Sequence, residues 1–345
     1  MSLDKTLRFT ARIPEVRSEL FGFSIISIIL FHYCEDVQSA GFGGAAAVFA
    51  TGYNLLLGSS GVEIFLFLSG MGLCFSMSGN KRLSVFYRKR LTRILPVYLL
   101  FGGVGFAVLD LLLRHKGWQK YLLDFSMISF WTDGTRLVWY IALILPLYLL
   151  FPLLYRLISL PDKRLAGVLT AALSAAVIAG CLTLWFLDPD AYDKIEIALW
   201  RVVPFILGAW HGRKARDGEG FTFEAVLLCV SAVCFALLSV LTRLNPDFMF
   251  GVFELRFGTL FYPYIVLFAA TAVLTRCGGS RFLRSVGTVT LELYLSHVIL
   301  RAVMNEIGLK TCYLHFYLIC IAVSAALSFA VHKLQMRIIN HNKKL

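Results

Sequence analysis

The sequence predicts an all-α integral membrane protein, a bundle of about ten transmembrane helices with both termini cytoplasmic. Three observations predict it. Hydrophobic residues make up 58% of the 345-residue chain and charged residues only 16%, with mean hydropathy +0.74, where soluble domains usually carry about 25% charged residues. Apolar runs of about 20 residues recur along the whole length, each enough to cross a hydrocarbon core roughly 30 Å thick. Lysine and arginine lie mostly in the short segments between those runs.

In chain order the runs fall at roughly 20–37, 61–78, 94–113, 138–158 and 165–187, then 195–210, 221–241, 257–275, 285–304 and 313–332, by the length criterion. The basic segments Lys5–Arg17, Lys81–Arg93, Lys163–Arg164, His211–Arg216, Arg276–Arg284 and Lys333–Lys344 then fall on one side, which the positive-inside rule makes cytoplasmic. The chain is expected to be one domain over 1–345, with a cytoplasmic N-terminal segment at 1–19, no removable signal peptide, and a basic cytoplasmic tail at 333–345.

Two segments strain this pattern. Gly41–Gly58 is apolar but rich in glycine and alanine, and were it to span, the basic Lys81–Arg93 connection would face outward. It is expected as an outer loop or re-entrant piece. Arg114–Arg136 stays outside against the trend, with Arg114, His115, Lys116 and Lys120 only partly offset by Asp124 and Asp133.

Composition also excludes function classes. The formal net charge of +12 belongs to topology and not to a nucleic-acid face, because the basic residues are dispersed among connections. The eight cysteines lie mostly inside apolar runs, with no C-x-x-C pair and so read as small buried hydrophobes. No P-loop, H-E-x-x-H or other metal-ligand pattern occurs, so no metal is expected.

A charge at the bilayer centre costs at least about 2.5–3.5 kcal/mol, which makes each intramembrane ionisable residue a functional candidate. His32, in Phe31-His32-Tyr33-Cys34-Glu35-Asp36, lies about 22 Å along its helix from Arg17 at ~1.5 Å per residue. Glu35 follows at i+3 on the same face, where a carboxylate can fix the imidazole tautomer; Glu63, opening the second run, is the other candidate partner. Ser69-Gly70 deeper in that run suits close helix packing. Arg88, Arg90 and Arg93 form the densest basic cluster, fit either for phosphate oxygens or for anchoring at anionic lipid. His297, five residues after Glu292 in the ninth run, is either a catalytic group or a hydrogen-bonded structural one.

These segments together resemble the acyltransferase-3 family of polytopic membrane O-acyltransferases, whose members acylate bacterial surface polysaccharides, peptidoglycan and related acceptors. The first helix ending Phe31-His32 is similar to that family's first helix. Gly61–Gly70 resembles its G-V-D-x-F-F-x-x-S-G segment, with Glu63 in place of Asp. Arg88–Pro96 resembles its basic loop entering an I-L-P helix, Leu137–Pro152 with Trp139, Tyr140 and Tyr148 its fourth-helix pattern, and Gly287–His297 with Tyr294 its late G-x-x-S-x-x-x-Y-L-x-H segment. One position departs: the family usually has an arginine eleven residues before the first-helix histidine, where this chain has Phe21, and Arg17 stands one turn earlier.

The resemblance implies acyl-CoA, acetyl-CoA foremost, as cytoplasmic donor and an extracytoplasmic hydroxyl on a glycan or lipid-linked saccharide as acceptor, in the cytoplasmic membrane. Arg88, Arg90 and Arg93 would then hold donor phosphates, and His32 would be the general base oriented by Glu35 or Glu63. Two rivals remain: a transporter or exporter of a small organic acid or envelope intermediate, since intramembrane His and Glu also build substrate pathways, and an inactive partner in envelope assembly.

Overall fold

The structure, a computed structural model, describes residues 8–58, 60–79, 82–221, 223–245 and 250–341. Lys5, Lys81 and the tail beyond His341 lie outside these. Among the described residues the chain is helical throughout, with no strand. Eight helical stretches are long and apolar enough to cross a membrane, nine if one bent pair counts as a single span.

A 3-10 turn at Arg8–Val16 leads into α1 (Arg17–Ser39). The segment before α1 docks on the bundle beside the basic His211–Arg216 segment: Ile13 and Thr10 are fully buried, and the Thr10 carbonyl lies 3.0 Å from His211 Nε2. Next come α2 (Gly44–Leu56) and α3 (Ser60–Gly79). The glycine- and alanine-rich α2 is neither an outer loop nor a separate span. It descends beside the outer half of α1, Tyr53 donating to the Ser27 carbonyl at 2.7 Å. It then hands over at Gly58 (φ +45°) to α3, whose Gly61 packs on Ser24 and Ile28. The two helices thus make one broken leg, which keeps the 82–93 connection on the basic side.

The fourth helix, α4 (Leu83–Tyr98), runs on through π-helical Leu99–Gly103 and Ala107–Leu113. Short helices α5 (Gly117–Phe125) and α6 (Ile128–Asp133) follow. Here the anomalous outer cations find acids: Lys120 pairs with Asp124 at 2.8 Å and Asp133 at 3.3 Å, and Arg114 with Glu306 at 2.9 Å.

Then come α7 (Trp139–Ile158), α8 (Lys163–Leu187), α9 (Pro189–Leu199) and α10 (Val202–Arg216). Asp162 caps α8 by accepting from Arg164 and Leu165 N–H groups. Lys163 pairs with Asp217 at 2.7 Å, so by the end of α10 the chain is back where α8 began. That ammonium also holds the Asp217 carboxyl below the usual carboxylate range. The run expected at 195–210 is therefore a return leg broken at Trp200–Arg201, and α10, with 15 residues, falls short of the length of a simple span. At the break Arg201 is buried, paired with Glu63, and donates to the Ile197 carbonyl at 2.7 Å. Close approach explains the glycines here: Gly208 of α10 faces the Phe67 carbonyl and Gly70 of α3 the Phe205 carbonyl, with no room for a Cβ at either. Gly70 thus makes a close helix contact, while Ser69 lines the cavity described below, its hydroxyl donating to the Phe65 carbonyl at 2.8 Å.

Finally α11 (Phe223–Leu244) and α12 (Phe250–Arg276) flank the bundle, and α13 (Arg281–Thr288) meets α14 (Thr290–Glu306) at 72°. The last helix, α15 (Leu314–His341), includes the described part of the 333–345 segment, Gln335 donating to the carbonyls of Thr92 and Arg93 at 3.0 and 3.2 Å.

Candidate active site

A cavity of about 740 Å³ opens among α1, α3, α4, α7, α13, α14 and α15. Arg17, Arg90 and Arg93 line it; Arg88, one of the three arginines expected to act together, does not, and is exposed. The reason is helical phase: Arg90 and Arg93 are three apart and share a face, whereas Arg88 is two from Arg90. Arg93 donates to the Thr288 carbonyl at 3.1 Å and lies 3.9 Å from buried Glu292, whose other oxygen meets His332 Nδ1 at 2.8 Å. Arg17 and Arg90 are different. No carboxylate among the described residues lies within salt-bridge distance of either, and Arg90 Nε is buried without a hydrogen-bond partner. Two unpaired guanidinium groups in one cavity create a demand for an anion.

Deeper in, aromatic rings narrow the cavity: Phe65 meets Phe21 at 4.9 Å and Tyr140 at 5.4 Å, and Tyr140 meets Tyr294 at 5.4 Å. Beyond this neck, one turn past Ile28 and Tyr294, stand His32 and His297. Their rings stack at 5.5 Å with planes 11° apart. His297 Nε2 lies 3.2 Å from the Tyr317 hydroxyl and Nδ1 lies 3.8 Å from Cys320 Sγ. His32 Nδ1 is buried and has no partner.

Neither expected carboxylate orients His32. Glu35 sits 3.3 Å from Arg301, and Asp36 takes that guanidinium's Nη2 at 2.6 Å and Nε at 2.8 Å. Asp36 also accepts from the Thr311 hydroxyl at 2.6 Å. A shared helix face was a necessary condition for a Glu35–His32 pair; the cation on α14 decided where the acids point. Glu63 is about 12 Å further in along α1, because Gly61 already lies beside Ser24 and Ile28. Its carboxylate pairs with Arg201 Nε at 3.0 Å, both side chains buried, and Arg201 also covers the Trp139 ring at 4.9 Å. Breaking this pair with Glu63→Gln leaves a buried uncompensated charge and is expected to cost about 3–5 kcal/mol. The check is the thermal unfolding midpoint of purified protein in detergent; an unchanged midpoint rules the structural role out.

Arg201, Arg301 and His332 were legible by the same rule that singled out His32, since each interrupts an apolar run or its edge. Their partners were not. Tyr317 and Cys320 gave no signal, being ordinary residues of an apolar helix.

The family model described as an acyltransferase domain matches residues 22–333. The chain belongs to the acyltransferase-3 family. MdmB, an acyltransferase of Streptomyces mycarofaciens, is 26% identical over 247 residues, a match covering 61% of this chain and 62% of that protein. The chain thus aligns with less than two thirds of that relative's length. No solved structure matches. In this acyltransferase-3 chain Phe21 and Arg17 line the same cavity. Arg17 reaches the cavity one turn earlier, its guanidinium carbon 5.9 Å from the Phe21 ring centroid and its Nη1 over Gly72. A Cβ at Gly72 would stand 2.6 Å from that nitrogen, so glycine there leaves the room Arg17 occupies.

Proposed function

We propose that this acyltransferase-3 protein is a membrane-embedded O-acyltransferase that takes an acyl group, acetyl foremost, from acyl-CoA and passes it to a hydroxyl group. The observation that carries this is the cavity with two unpaired guanidinium groups connecting, through an aromatic neck, towards the stacked His32–His297 pair. The donor's phosphates sit against Arg17, Arg90 and Arg93, and its thioester enters the neck. The volume lies within the roughly 300–1,000 Å³ of small-molecule sites.

His32 is the general base. It takes the acceptor's hydroxyl proton as that oxygen attacks the thioester carbon; the C–O bond forms, the C–S bond breaks, and the imidazolium returns the proton to the departing CoA thiolate. His297, held by Tyr317, braces the His32 ring. The acceptor, a glycan or lipid-linked saccharide, arrives from the end opposite the arginines, and the basic ends of the helices face the cytoplasm across the cell membrane.

The test is release of CoA thiol and transfer of label from labelled acetyl-CoA to cell-envelope material in membranes containing the protein. Transfer supports the reading. If no acyl-CoA is consumed and no label moves, export of a small organic acid or an envelope intermediate becomes the better account.

A further inference from the structure

A second groove, of about 460 Å³, lies between the start of α8 and the end of α10 and shares no lining residue with the arginine-lined cavity. Its wall is mainly apolar, formed by Gly167, Val168 and Ala171 of α8 and by Trp210 of α10. Val168 is 59% exposed and nearby Leu165 47%, so in a membrane this side of α8 meets hydrocarbon. From Lys163 at the rim to Ala171 the groove follows α8 for about 12 Å, at ~1.5 Å per residue. The rim is charged. Lys163 pairs with Asp217 at 2.7 Å and Glu219 at 2.8 Å, and Lys214 with buried Glu224 at 3.1 Å. The two arginines differ from these lysines. Arg213 is buried, donates to the Ile158 and Leu160 carbonyls and covers the Trp210 ring at 5.5 Å, while Arg164 is exposed. No carboxylate among the described residues lies within salt-bridge distance of either guanidinium group.

We propose that this groove holds one anionic phospholipid, its phosphate beside Arg164 at the rim and an acyl chain along α8 next to Trp210. Two guanidinium charges without an acid supply the attraction, and basic pockets between transmembrane helices bind such headgroups. A zwitterionic headgroup would bring its own ammonium group to the same arginines and gain less. The wall below the rim selects a lipid over a free phosphate: its apolar surface offers a soluble anion nothing, whereas an acyl chain buries it. A tryptophan just inside the charged rim suits the same boundary between headgroup and hydrocarbon. The lipid touches both α8 and α10, so binding it stabilises the folded bundle. The site does not depend on the acyl-transfer reading.

The experiment titrates the full chain, purified in detergent and stripped of lipid, with phosphatidylglycerol, phosphatidylethanolamine and glycerol 3-phosphate, and reads the bound fraction by native mass spectrometry and the thermal unfolding midpoint. The wild type is expected to take up one phosphatidylglycerol with a higher midpoint, and to bind it about 5-fold or more tightly than phosphatidylethanolamine. Arg164→Gln, which removes one charge, and Ala171→Trp, which fills the groove without changing charge, should each weaken that binding by about 5-fold or more. Arg88→Gln, an equal loss of charge at an exposed position outside the groove, should leave it near the wild-type value. Arg164 is exposed and Ala171 lies on the half-open wall, so neither change disturbs the bundle core, whereas Arg213 holds two carbonyls and is left intact. Equal binding of the two lipids overturns the anionic preference. Equal loss in Arg164→Gln and Arg88→Gln, with none in Ala171→Trp, reduces the groove to part of a diffuse basic surface and overturns the site. Glycerol 3-phosphate that binds as tightly as phosphatidylglycerol, unaffected by Ala171→Trp, overturns the role of the apolar wall.

Discussion

Replacing His32 by alanine is expected to lower kcat for acyl transfer by about 10²–10⁴-fold, the range that a positioned general base contributes. Donor KM should hardly change, because His32 lies beyond the neck and touches none of the arginine-lined cavity. The fold should tolerate the change, since the His32 Nδ1 atom holds no hydrogen bond whose loss would strand a partner. Steady-state rates at matched membrane expression check it, with thermal unfolding as control. A His32→Ala protein that inserts and retains the full rate removes His32 from the chemistry.

The second large effect concerns donor binding. Arg17→Ala should raise acyl-CoA KM by roughly 10–100-fold, given about 1.5–3 kcal/mol for hydrogen bonds to a charged group. Gly72→Val should act in the same direction without touching a charge, because its side chain takes the space of the Arg17 guanidinium. Arg88→Glu should leave KM near the wild-type value, since that side chain is exposed and outside the cavity. Placing arginine at the family's usual position, Phe21→Arg in the Arg17→Ala background, should return part of the lost affinity, as both positions line the same cavity. Equal KM values for Arg17→Ala and Arg88→Glu would reduce Arg17 to a positive-inside anchor.

Several features were plain from the residues. The basic connections indicated which helix ends lie together, and the Lys163–Asp217 pair agrees with that. Arg90 and Arg93 on one face followed from helical periodicity, and Gly70 as a close packing contact from its residue type. Helix count followed less well, because hydropathy registers length and composition but not breaks. The α2–α3 leg, the return leg at Trp200–Arg201 and the α13–α14 corner each split where a buried polar group or a close backbone contact intervenes. Partner choice was the least legible. Spacing placed Glu35 near His32, but Arg301, 266 residues along the chain, claims it.

The sequence by itself determined that this is a multi-span helical bundle of the acyltransferase-3 family with arginines at one end and a histidine in the other half, because hydrophobic length, charge distribution and motif order are local or nearly local properties. Only the tertiary structure decided which ionisable groups are satisfied by one another and which remain free for a ligand. Arg201 neutralises Glu63, Arg301 neutralises Asp36, and Arg17 over Gly72 is left beside Arg90 without an acid. The physical reason is that a buried charge pays its desolvation cost through a partner from whichever helix packs against it, and that helix is set by the packing of the whole bundle.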